Sequence, residues 1–362
     1  MAVIQKLAIT QFRNLNRQYI KPGKHLNLFI ASNAQGKTSL IEAIYYLGHN
    51  RSFKTKSLKE LIQFDLEKFQ LDAQVNEQRI KLEKSKQKTN ITIDQLRLKN
   101  SSDLSKVLPI QIITPDKGFI VNGTPKNKRS YLDWGVFHVN LDFLADFKKY
   151  HKALKNINVL LMQQKSQELD DWFLEIAHLS KKINQARQDY IDQLKQTNSS
   201  QLISDLSNLF KAIDSFDYQF VSGWPKEVDA FEADSIYQYL LKSKPFMLKA
   251  KYLNYGPHKA SLKFYLNQQE ECFLSRGEQK TLSIVFWLTQ VALMVKNNIQ
   301  PVVLIDDISS ELDPTKIQTI LHFLQQLNIQ IFMTDIGENI LKTNPENTTV
   351  FRIDQGVISQ QQ

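Results

Sequence analysis

The most informative segment of the sequence is Ala31-Ser32-Asn33-Ala34-Gln35-Gly36-Lys37-Thr38. It fits the phosphate-loop pattern G-x-x-x-x-G-K-[ST] except at its first residue. A short apolar run, Leu26 to Ile30, precedes the loop, and apolar residues recur after it at helical spacing. This order predicts a strand, a loop and a helix, with backbone N–H groups at the helix N-terminus surrounding phosphate oxygens. The apolar residues after the loop are Leu40, Ile41, Ile44 and Leu47.

The residue types in the loop indicate what each member contributes. Lys37 is expected to reach the β- and γ-phosphates of a nucleotide, and the Thr38 hydroxyl is expected to ligate Mg²⁺. The departure from the pattern is Ala31, whose Cβ costs little if φ is negative and more if φ is positive. The alternative is a coincidental loop that binds nothing. We predict ATP and Mg²⁺ as cofactors, and nucleotide contacts from Ala31, Ser32, Asn33, Ala34, Gln35, Gly36, Lys37, Thr38 and Ser39.

A second buried strand is predicted at residues 301–305, and it ends in the carboxylates Asp306 and Asp307. In this setting Asp306 would hold Mg²⁺ through water, and Asp307 would orient or deprotonate the attacking water. We therefore predict Thr38 and Asp306 at the metal, and Asp307 with Lys37 as catalytic residues. Taken alone, an apolar strand that ends in two aspartates could also be an ordinary strand-to-loop cap.

Two further motifs flank this strand. Upstream, Leu274-Ser275-Arg276-Gly277-Glu278-Gln279 resembles the signature of ABC ATPases, commonly Leu-Ser-Gly-Gly-Gln, and downstream Ser309-Ser310-Glu311-Leu312-Asp313 resembles their D-loop. Ser275 would cap a helix that starts near Glu278, and Gly277 would let the backbone approach phosphate closely. A capped helix without any ligand is the alternative for the signature alone. The order of phosphate loop, signature, acidic strand and D-loop is specific to ABC ATPases.

The ABC resemblance implies a site shared by two chains. In that family the signature closes over the nucleotide of the partner chain, so Ser275 and Gly277 would act in trans, in an ATP-dependent homodimer with two composite sites. Most ABC proteins carry Glu where this chain has Asp307, and the shorter side chain implies slow hydrolysis. The usual switch histidine is replaced by Thr334 and Asp335.

Strands alternate with helices at both ends of the chain, which predicts an α/β fold. The resemblance makes this an ABC-type ATPase head, a mixed sheet with a phosphate loop, with an inserted helical lobe. We predict an N-terminal half of the head at 1–135, a helical insert at 136–250 and a C-terminal half at 251–362. Within them we predict short strands over 50–135, helices over 136–220 and 230–243, a strand over 252–266, a helix over 278–296, and strands at 302–305, 329–333 and 350–353.

Most of the chain separates Lys37 from Asp306, whereas transporter ATPase domains keep these motifs much closer. A large insert indicates the SMC-like branch, yet helices of 20–30 residues reach only about 30–45 Å, which is too short for a long coiled-coil arm. The chain resembles the RecF family of bacterial recombination and gap-repair ATPases. The matching blocks are Phe12-Arg13-Asn14-Leu15, Glu42 to Leu47, Thr114-Pro115-Asp116, Gly123-Thr124-Pro125, Arg129 to Asp133, and Gly256-Pro257-His258-Lys259.

That resemblance implies DNA binding at single-strand gaps, slow DNA-stimulated ATP hydrolysis, and loading of recombinase with RecR and RecO, in DNA replication, repair and SOS induction. The net charge of +9 independently favours a polyanionic partner. Each basic cluster could contact DNA or could be a solvated face. The clusters are Arg51 and Lys54, then Lys126, Lys128 and Arg129, then Lys148, Lys149 and Lys152.

Composition excludes several classes of protein. Cys272 is the one cysteine, so no intrachain disulfide can form. The N-terminus lacks the apolar core of a signal peptide, and the apolar stretch 281–295 is shorter than the roughly 20 residues of a membrane span. We expect a soluble, cytoplasmic protein with no membrane partner. Two alternatives to the DNA-binding ATPase remain, a transporter's nucleotide-binding subunit and an ATP-regulated binding module with negligible hydrolysis.

Overall fold

The computed structural model describes residues 2–98, 100–114, 120–197, 206, 215–337 and 347–361. The chain divides into two compact units. Unit 1 comprises Met1–Gly118, Leu202–Lys211 and Ile284–Gln362, and unit 2 comprises Phe119–Gln201 and Ala212–Ser283. These units end at residues other than the bounds of the three segments expected from the sequence. The three segments stay a prediction.

The described residues form fifteen strands and eight α-helices. The strands are β1 (Ile4–Phe12), β2 (Leu15–Ile20), β3 (Leu26–Ile30), β4 (Lys68–Val75), β5 (Gln78–Ser85), β6 (Thr89–Ile93), β7 (Leu96–Arg97), β8 (Ile110–Ile113), β9 (Phe216–Val221), β10 (Ser261–Leu266), β11 (Gln269–Glu270), β12 (Val302–Ile305), β13 (Ile331–Asp335), β14 (Thr348–Asp354) and β15 (Val357–Gln360). The helices are α1 (Lys37–His49), α2 (Ser102–Val107), α3 (Pro125–Val139), α4 (Phe143–Met162), α5 (Leu169–Thr197), α6 (Ala233–Ala250), α7 (Arg276–Lys296) and α8 (Pro314–Gln326).

The sheet that carries the phosphate loop lies in unit 1 and has the order β15-β14-β3-β13-β12-β8. All its pairings are parallel except β14 with β15. Every residue of β3, β12 and β13 is buried, as expected for strands covered on both faces. The bounds predicted for β3 and β12 agree with the structure, because each is a short continuous apolar run.

A second sheet of unit 1 is antiparallel, with the order β2-β1-β4-β5-β6-β7. Its strands alternate between inward and outward residues, most regularly β4, in which every second side chain is buried. One buried cluster contains side chains of this sheet, of α1 and of the first sheet. Burial of α1 between the two sheets fixes the helix, and with it the loop that precedes it.

Unit 2 contains the three-stranded antiparallel sheet β11-β10-β9 and helices α3 to α6, with the first turns of α7. A buried ion pair joins two of its helices, α3 and α5. Arg187 is 1% exposed and binds both carboxylate oxygens of Asp133, at 2.8 and 3.0 Å, and the Pro257 carbonyl at 2.8 Å. Such a pair holds the elements in register because either ion left alone in the interior would be costly.

Several predictions of secondary structure are wrong. Residues 125–135 form the first turns of α3 and not strands, because the Thr124 side chain accepts a hydrogen bond from the Asn127 N–H and Pro125 occupies the first helical position. Residues 216–220 are strand β9 and not helix, since they pair with β10. Of the predicted strand 252–266, only Ser261–Leu266 is strand.

Two other expectations concern segments only partly described. Of the helices predicted over 136–220, residues 198–205 and 207–214 lie outside the described residues, and so do Pro115 and Asp116. Residues 281–295 belong to a mostly buried helix, as predicted. Within the described ranges, no helix combines the length and the apolar character that crossing a membrane requires.

Candidate nucleotide site

The phosphate loop turns from β3 into α1 through two residues with positive φ. Gly36 has φ +113°, a conformation that favours glycine, and a Cβ there would also crowd the Asn14 side chain at 3.0 Å. Ala34 has φ 65° and is exposed. Ala31 is not among the positive-φ residues, and its methyl group belongs to the buried cluster. The strained alanine of this loop is therefore Ala34, while Ala31 costs no backbone strain.

Lys37 is held inside the loop. Its side chain is mostly buried, and Nζ donates a hydrogen bond to the Ala31 carbonyl at 2.5 Å. Burial lowers the pKa of Lys37, and the nearby carboxylates Asp307, Asp335 and Asp306 oppose that shift. The three carboxylates thus favour the charged ammonium, which is the form that binds a phosphate.

Asp306 and Thr38 form the candidate metal position. Asp306 is 2% exposed, accepts a hydrogen bond from Thr334 Oγ1 at 2.8 Å, and is also hydrogen-bonded by the Thr38 side chain. Burial raises the pKa of Asp306, and the bonds from Thr334 and Thr38 partly offset that rise. A hydroxyl beside one carboxylate suits Mg²⁺, which takes few protein oxygens and completes its shell with water and phosphate. Among the described residues, no group of three or more His, Cys, Asp or Glu side chains suited to a metal occurs.

Asp307 begins the turn that leaves β12. Its φ is 52°, in the left-handed region that aspartate tolerates, and its N–H donates to Thr334 Oγ1 at 3.0 Å. Thr334 therefore bridges the two aspartates, donating to Asp306 and accepting from Asp307. Such a bridge fixes the direction of the Asp307 backbone, from which the predicted catalytic carboxylate projects.

Sequence reasoning placed Thr334 and Asp335 at the switch position but gave them no role. Asp335 Oδ1 accepts hydrogen bonds from Ser309 Oγ in the D-loop and from the Ile336 N–H, both at 2.8 Å. Its carbonyl accepts from the Ala31 N–H at 3.2 Å. The available signal was topological, since β12 and β13 are adjacent parallel strands whose carboxyl ends meet at one edge.

The loop is also supported from outside the predicted motifs. The side-chain Oε1 of Gln35 accepts a hydrogen bond from the Gln355 N–H at 2.5 Å. The backbone carbonyl of Gln35 accepts one from the Gly356 N–H at 3.0 Å. In the middle of α1, the fully buried Glu42 carboxylate binds the Arg13 guanidinium and the Ser52 hydroxyl. These contacts explain two of the matching blocks, those around Arg13 and Glu42, as supports of the helix that carries the loop.

The signature lies in unit 2, at the start of α7. Ser275 Oγ accepts from the Glu278 N–H at 3.3 Å, and Glu278 Oε2 accepts from the Ser275 N–H at 2.8 Å. This reciprocal arrangement is a capping box, and it starts the helix at Arg276, two residues earlier than predicted. Ser275, Arg276, Gly277 and Glu278 are all exposed. A Cβ at Gly277 would meet nothing within 4 Å, so this glycine is not required by the packing of its own chain.

The basic clusters have different surroundings. Lys128 is 5% exposed and its ammonium pairs with Glu271, while the Arg129 guanidinium donates to the Ala260 carbonyl at 2.8 Å. The expectation that Lys128 lies on a basic surface is therefore wrong, because burial is not visible in a run of charges. Lys54 lies close enough to Asp306 to lower the pKa of that carboxyl, which places Lys54 near the candidate nucleotide site. The exposed members are Arg51, Lys54, Lys126, Lys148, Lys149 and Lys152.

Known proteins resemble this chain over nearly its whole length. Residues 3–359 match the family model described as RecF/RecN/SMC N terminal domain. The DNA replication and repair protein RecF of Hydrogenovibrio crunogenus is 32% identical over 374 residues, covering 100% of both chains. The protein of that name from Mannheimia succiniciproducens is 34% identical, with 99% of each chain covered.

Solved structures agree with these sequence relatives. A structure described as the recombination mediator protein RecF with ATP, in the RecFOR pathway, has a TM-score of 0.86 at 25% identity and covers 100% of this chain and 98% of its own. The Smc head domain of Pyrococcus furiosus has a TM-score of 0.59 at 13% identity, which concerns the fold alone. The fold is therefore that of an ABC-type ATPase head, and the chain belongs to the RecF family of DNA replication and repair proteins.

Proposed function

We propose that this chain is an ATP-driven homodimer that grips DNA at single-strand gaps and releases it when ATP is hydrolysed. The observation that carries the proposal is the contrast between two sets of residues in one chain. Lys37, Thr38, Asp306 and Asp307 form an assembled set in unit 1, which we name the loop half. Ser275 and Gly277 of unit 2 are exposed at a capped helix N-terminus, which we name the signature half.

The loop half supports nucleotide binding within one chain. A buried ammonium, a hydroxyl and a buried carboxylate converge on the N-terminus of α1, where a phosphate group and Mg²⁺ would be stabilised. Mg²⁺ would be held by Thr38 and Asp306 and would neutralise phosphate charge. Residues 31–39 would supply the phosphate contacts, with Lys37 exchanging its bond to the Ala31 carbonyl for one to phosphate.

The signature half supports dimerisation. A helix N-terminus with free N–H groups attracts an anion, and an exposed glycine allows its close approach. In ABC ATPases the anion is the γ-phosphate of the partner's nucleotide, so two chains would complete two sites. Hydrolysis would follow from a water molecule oriented by Asp307, slowly because the aspartate side chain is one methylene shorter than the usual glutamate.

Contacts to DNA would come from exposed basic side chains, of which Lys148, Lys149 and Lys152 share one helix, α4. Contacts to the phosphate backbone give salt-dependent binding with little sequence preference. The RecF relatives are named for DNA replication and repair and a RecFOR pathway. We therefore infer a cytoplasmic role at gaps, with RecR and RecO as partners in recombinase loading and with a contribution to SOS induction.

Sedimentation with and without ATP tests the dimer directly. The wild-type chain should change from monomer to dimer with ATP, and Lys37→Ala should stay monomeric because it cannot hold the phosphates. Lys59→Ala, at an exposed lysine of unit 1, is the matched control and should dimerise. A wild-type chain that stays monomeric at saturating ATP and Mg²⁺ contradicts the proposal.

Binding of gapped, duplex and single-stranded DNA tests the DNA part. We expect gapped DNA to bind best with ATP, and the affinity to fall steeply with salt. The second candidate is an ATP-regulated module with negligible hydrolysis, and the observation that favours it is Asp307 at the position of the usual glutamate. Phosphate release with DNA present that is equal in wild type and Asp307→Asn would select the module. A transporter subunit is disfavoured by the family to which the chain belongs.

A further inference from the structure

Among the described residues, Lys37 and Lys128 are the buried lysines, and they belong to different parts of the molecule. Lys37 belongs to the loop half, whereas Lys128 of α3 is buried in unit 2, far along the chain from any nucleotide motif. Its ammonium pairs with Glu271 and lies 5.4 Å from the centroid of the Phe264 ring. The Lys128 and Glu271 side chains are 7% and 9% exposed, so both charges are withdrawn from water. A pair of this kind adds little net stability when compared with apolar residues of similar size. Its role is therefore to be found in the segment whose position it fixes.

Glu271 stands at the start of the segment that leads into the signature. It opens a short 3-10 helix, Glu271–Phe273, which Leu274 and Ser275 follow. Its carboxylate is bonded on both oxygens, by Lys128 Nζ on Oε1 and by the Asn122 N–H on Oε2 at 3.1 Å. The position of this carboxylate is thus determined by two groups from the start of the α3 region.

The same residue is bonded to the signature helix through its backbone. Gln279 Nε2 donates to the Glu271 carbonyl at 3.2 Å and to the Leu274 carbonyl at 2.9 Å. Ser283 Oγ donates to the Gln279 carbonyl at 2.7 Å and accepts from the Val121 N–H at 3.1 Å. Residues 271–283 are therefore fastened at both ends to residues 121–128, while Ser275 to Glu278 between them are exposed.

We propose that Glu271, held by Lys128, is a positioning residue for the signature. It keeps the signature in the conformation that binds the nucleotide of a second copy of this chain. This rests on the proposed ATP-driven dimer. Neither residue belongs to the predicted nucleotide contacts, and each acts through the Glu271–Gln279 segment. The pair fixes the N–H groups at the start of α7 in advance, so that no ordering of this exposed turn opposes association.

Two variants separate positioning from simple stabilisation. Glu271→Gln keeps the shape of the side chain but leaves the Lys128 ammonium without its counter-charge. The double variant Lys128→Met with Glu271→Leu removes both charges, so no unpaired ion remains buried and the fold should persist. Asp133→Asn is the matched control, because it damages another ion pair of unit 2, in which the buried Arg187 also binds the Pro257 carbonyl and not the signature segment.

The first measurement is amide hydrogen exchange of the ATP-free monomer, which does not depend on dimerisation. We expect exchange across residues 271–279 to be at least about tenfold faster in both Glu271 variants than in wild type or Asp133→Asn, with ATP affinity in the loop half unchanged. Unchanged exchange in the double variant would overturn the inference, since a merely structural pair is replaceable by apolar residues.

The second measurement is ATP-dependent dimerisation by sedimentation at a temperature where every variant is folded. We expect the Glu271 variants to dimerise about tenfold more weakly than wild type and Asp133→Asn to match wild type. Equal weakening by Asp133→Asn would overturn the inference in favour of a general loosening of unit 2. A wild-type chain that does not dimerise would contradict the proposed function, whereas the exchange result would still decide whether Glu271 positions the signature.

Discussion

The loop half and the signature half differ in how completely one chain builds them. In the loop half, Lys37 and Asp306 are buried and Thr334 bridges the two aspartates, so the site is assembled before any ligand arrives. In the signature half, Ser275 and Gly277 are exposed. The hydrogen bonds that hold this turn in place are made by Glu278 and Glu271 of the same chain. Variants of the loop half should therefore fail in nucleotide binding or hydrolysis, and variants of the signature half should fail in association of two chains.

The largest effect is expected from Asp307→Asn, which tests whether the loop half performs chemistry. A general base contributes about 10²- to 10⁴-fold, so we expect hydrolysis to fall at least about 100-fold while ATP binding and dimerisation persist. Phosphate release under single-turnover conditions measures this. Asp354→Asn makes the same charge change on the exposed end of β14 and should leave the rate unaltered.

Gly277→Val should produce the next largest effect and tests whether the signature half acts on a partner. A Cβ at this position meets nothing within 4 Å in its own chain, so folding and ATP binding should be unchanged. Branched carbon atoms between the helix N-terminus and a partner's phosphate should weaken ATP-dependent dimerisation about 30- to 100-fold, as sedimentation would show.

Mixing two defective proteins sharpens that test. In a heterodimer of Gly277→Val with Lys37→Ala, one of the two composite sites contains an intact loop half from the first chain and an intact signature from the second. Partial recovery of dimerisation in the mixture is expected, and its absence would mean that the two halves act within one chain.

Thr334→Val should have an intermediate effect that depends on pH. Asp306 must be ionised to hold Mg²⁺, and burial already raises its pKa, so Mg·ATP affinity should fall on acidification at a higher pH than an ordinary aspartate would give. Loss of the Thr334 hydrogen bond removes a group that lowers this pKa, which should move the acid limb to still higher pH and weaken binding about tenfold near neutrality. Titration of a fluorescent ATP analogue from pH 5 to 8 measures both, and Thr334→Ser, which keeps the hydroxyl, should behave as wild type.

The smallest effect is expected from Ala31→Gly, which restores the usual first residue of the loop. Because Ala31 lacks positive φ and its methyl is buried, glycine should not improve ATP affinity. It should instead lower the free energy of unfolding by about 1–2 kcal/mol, through the lost methyl and the freer unfolded chain. Urea denaturation measures the change, and a clear gain in ATP affinity would show that the backbone of Ala31 is strained after all.

The parts of the fold that the sequence predicts are those where one local signal dominates. β3 and β12 are continuous apolar runs flanked by polar loops, and their predicted bounds agree with the structure. The start of α3 departs from the prediction of short strands over 50–135, although Thr124-Pro125 is an N-cap followed by proline, a local signal of a helix start. β9 was missed because its pairing with β10 is a long-range contact that no local pattern encodes.

The candidate site shows the same division. Lys37, Thr38, Asp306 and Asp307 lie in motifs whose spacing carries their chemistry, and the structure brings these four together. Thr334, Asp335 and Glu271 lie outside any motif that assigned them a role, and only the contacts of the folded chain show what they bind. Lys128 was misread because a basic side chain paired in the interior is indistinguishable, in sequence, from one on the surface.

The strand order around the phosphate loop has a consequence for synthesis on the ribosome. β3 pairs with β13 on one side and β14 on the other, both of which emerge roughly 300 residues later, a delay of about 15–60 s at ordinary translation rates. A nascent chain cut short before residue 331 therefore has a phosphate-loop sequence with an unpaired β3 on either side. Incomplete chains should consequently be unable to bind nucleotide or to dock on the signature of a partner. Prematurely terminated chains should therefore not form inactive dimers with full-length chains.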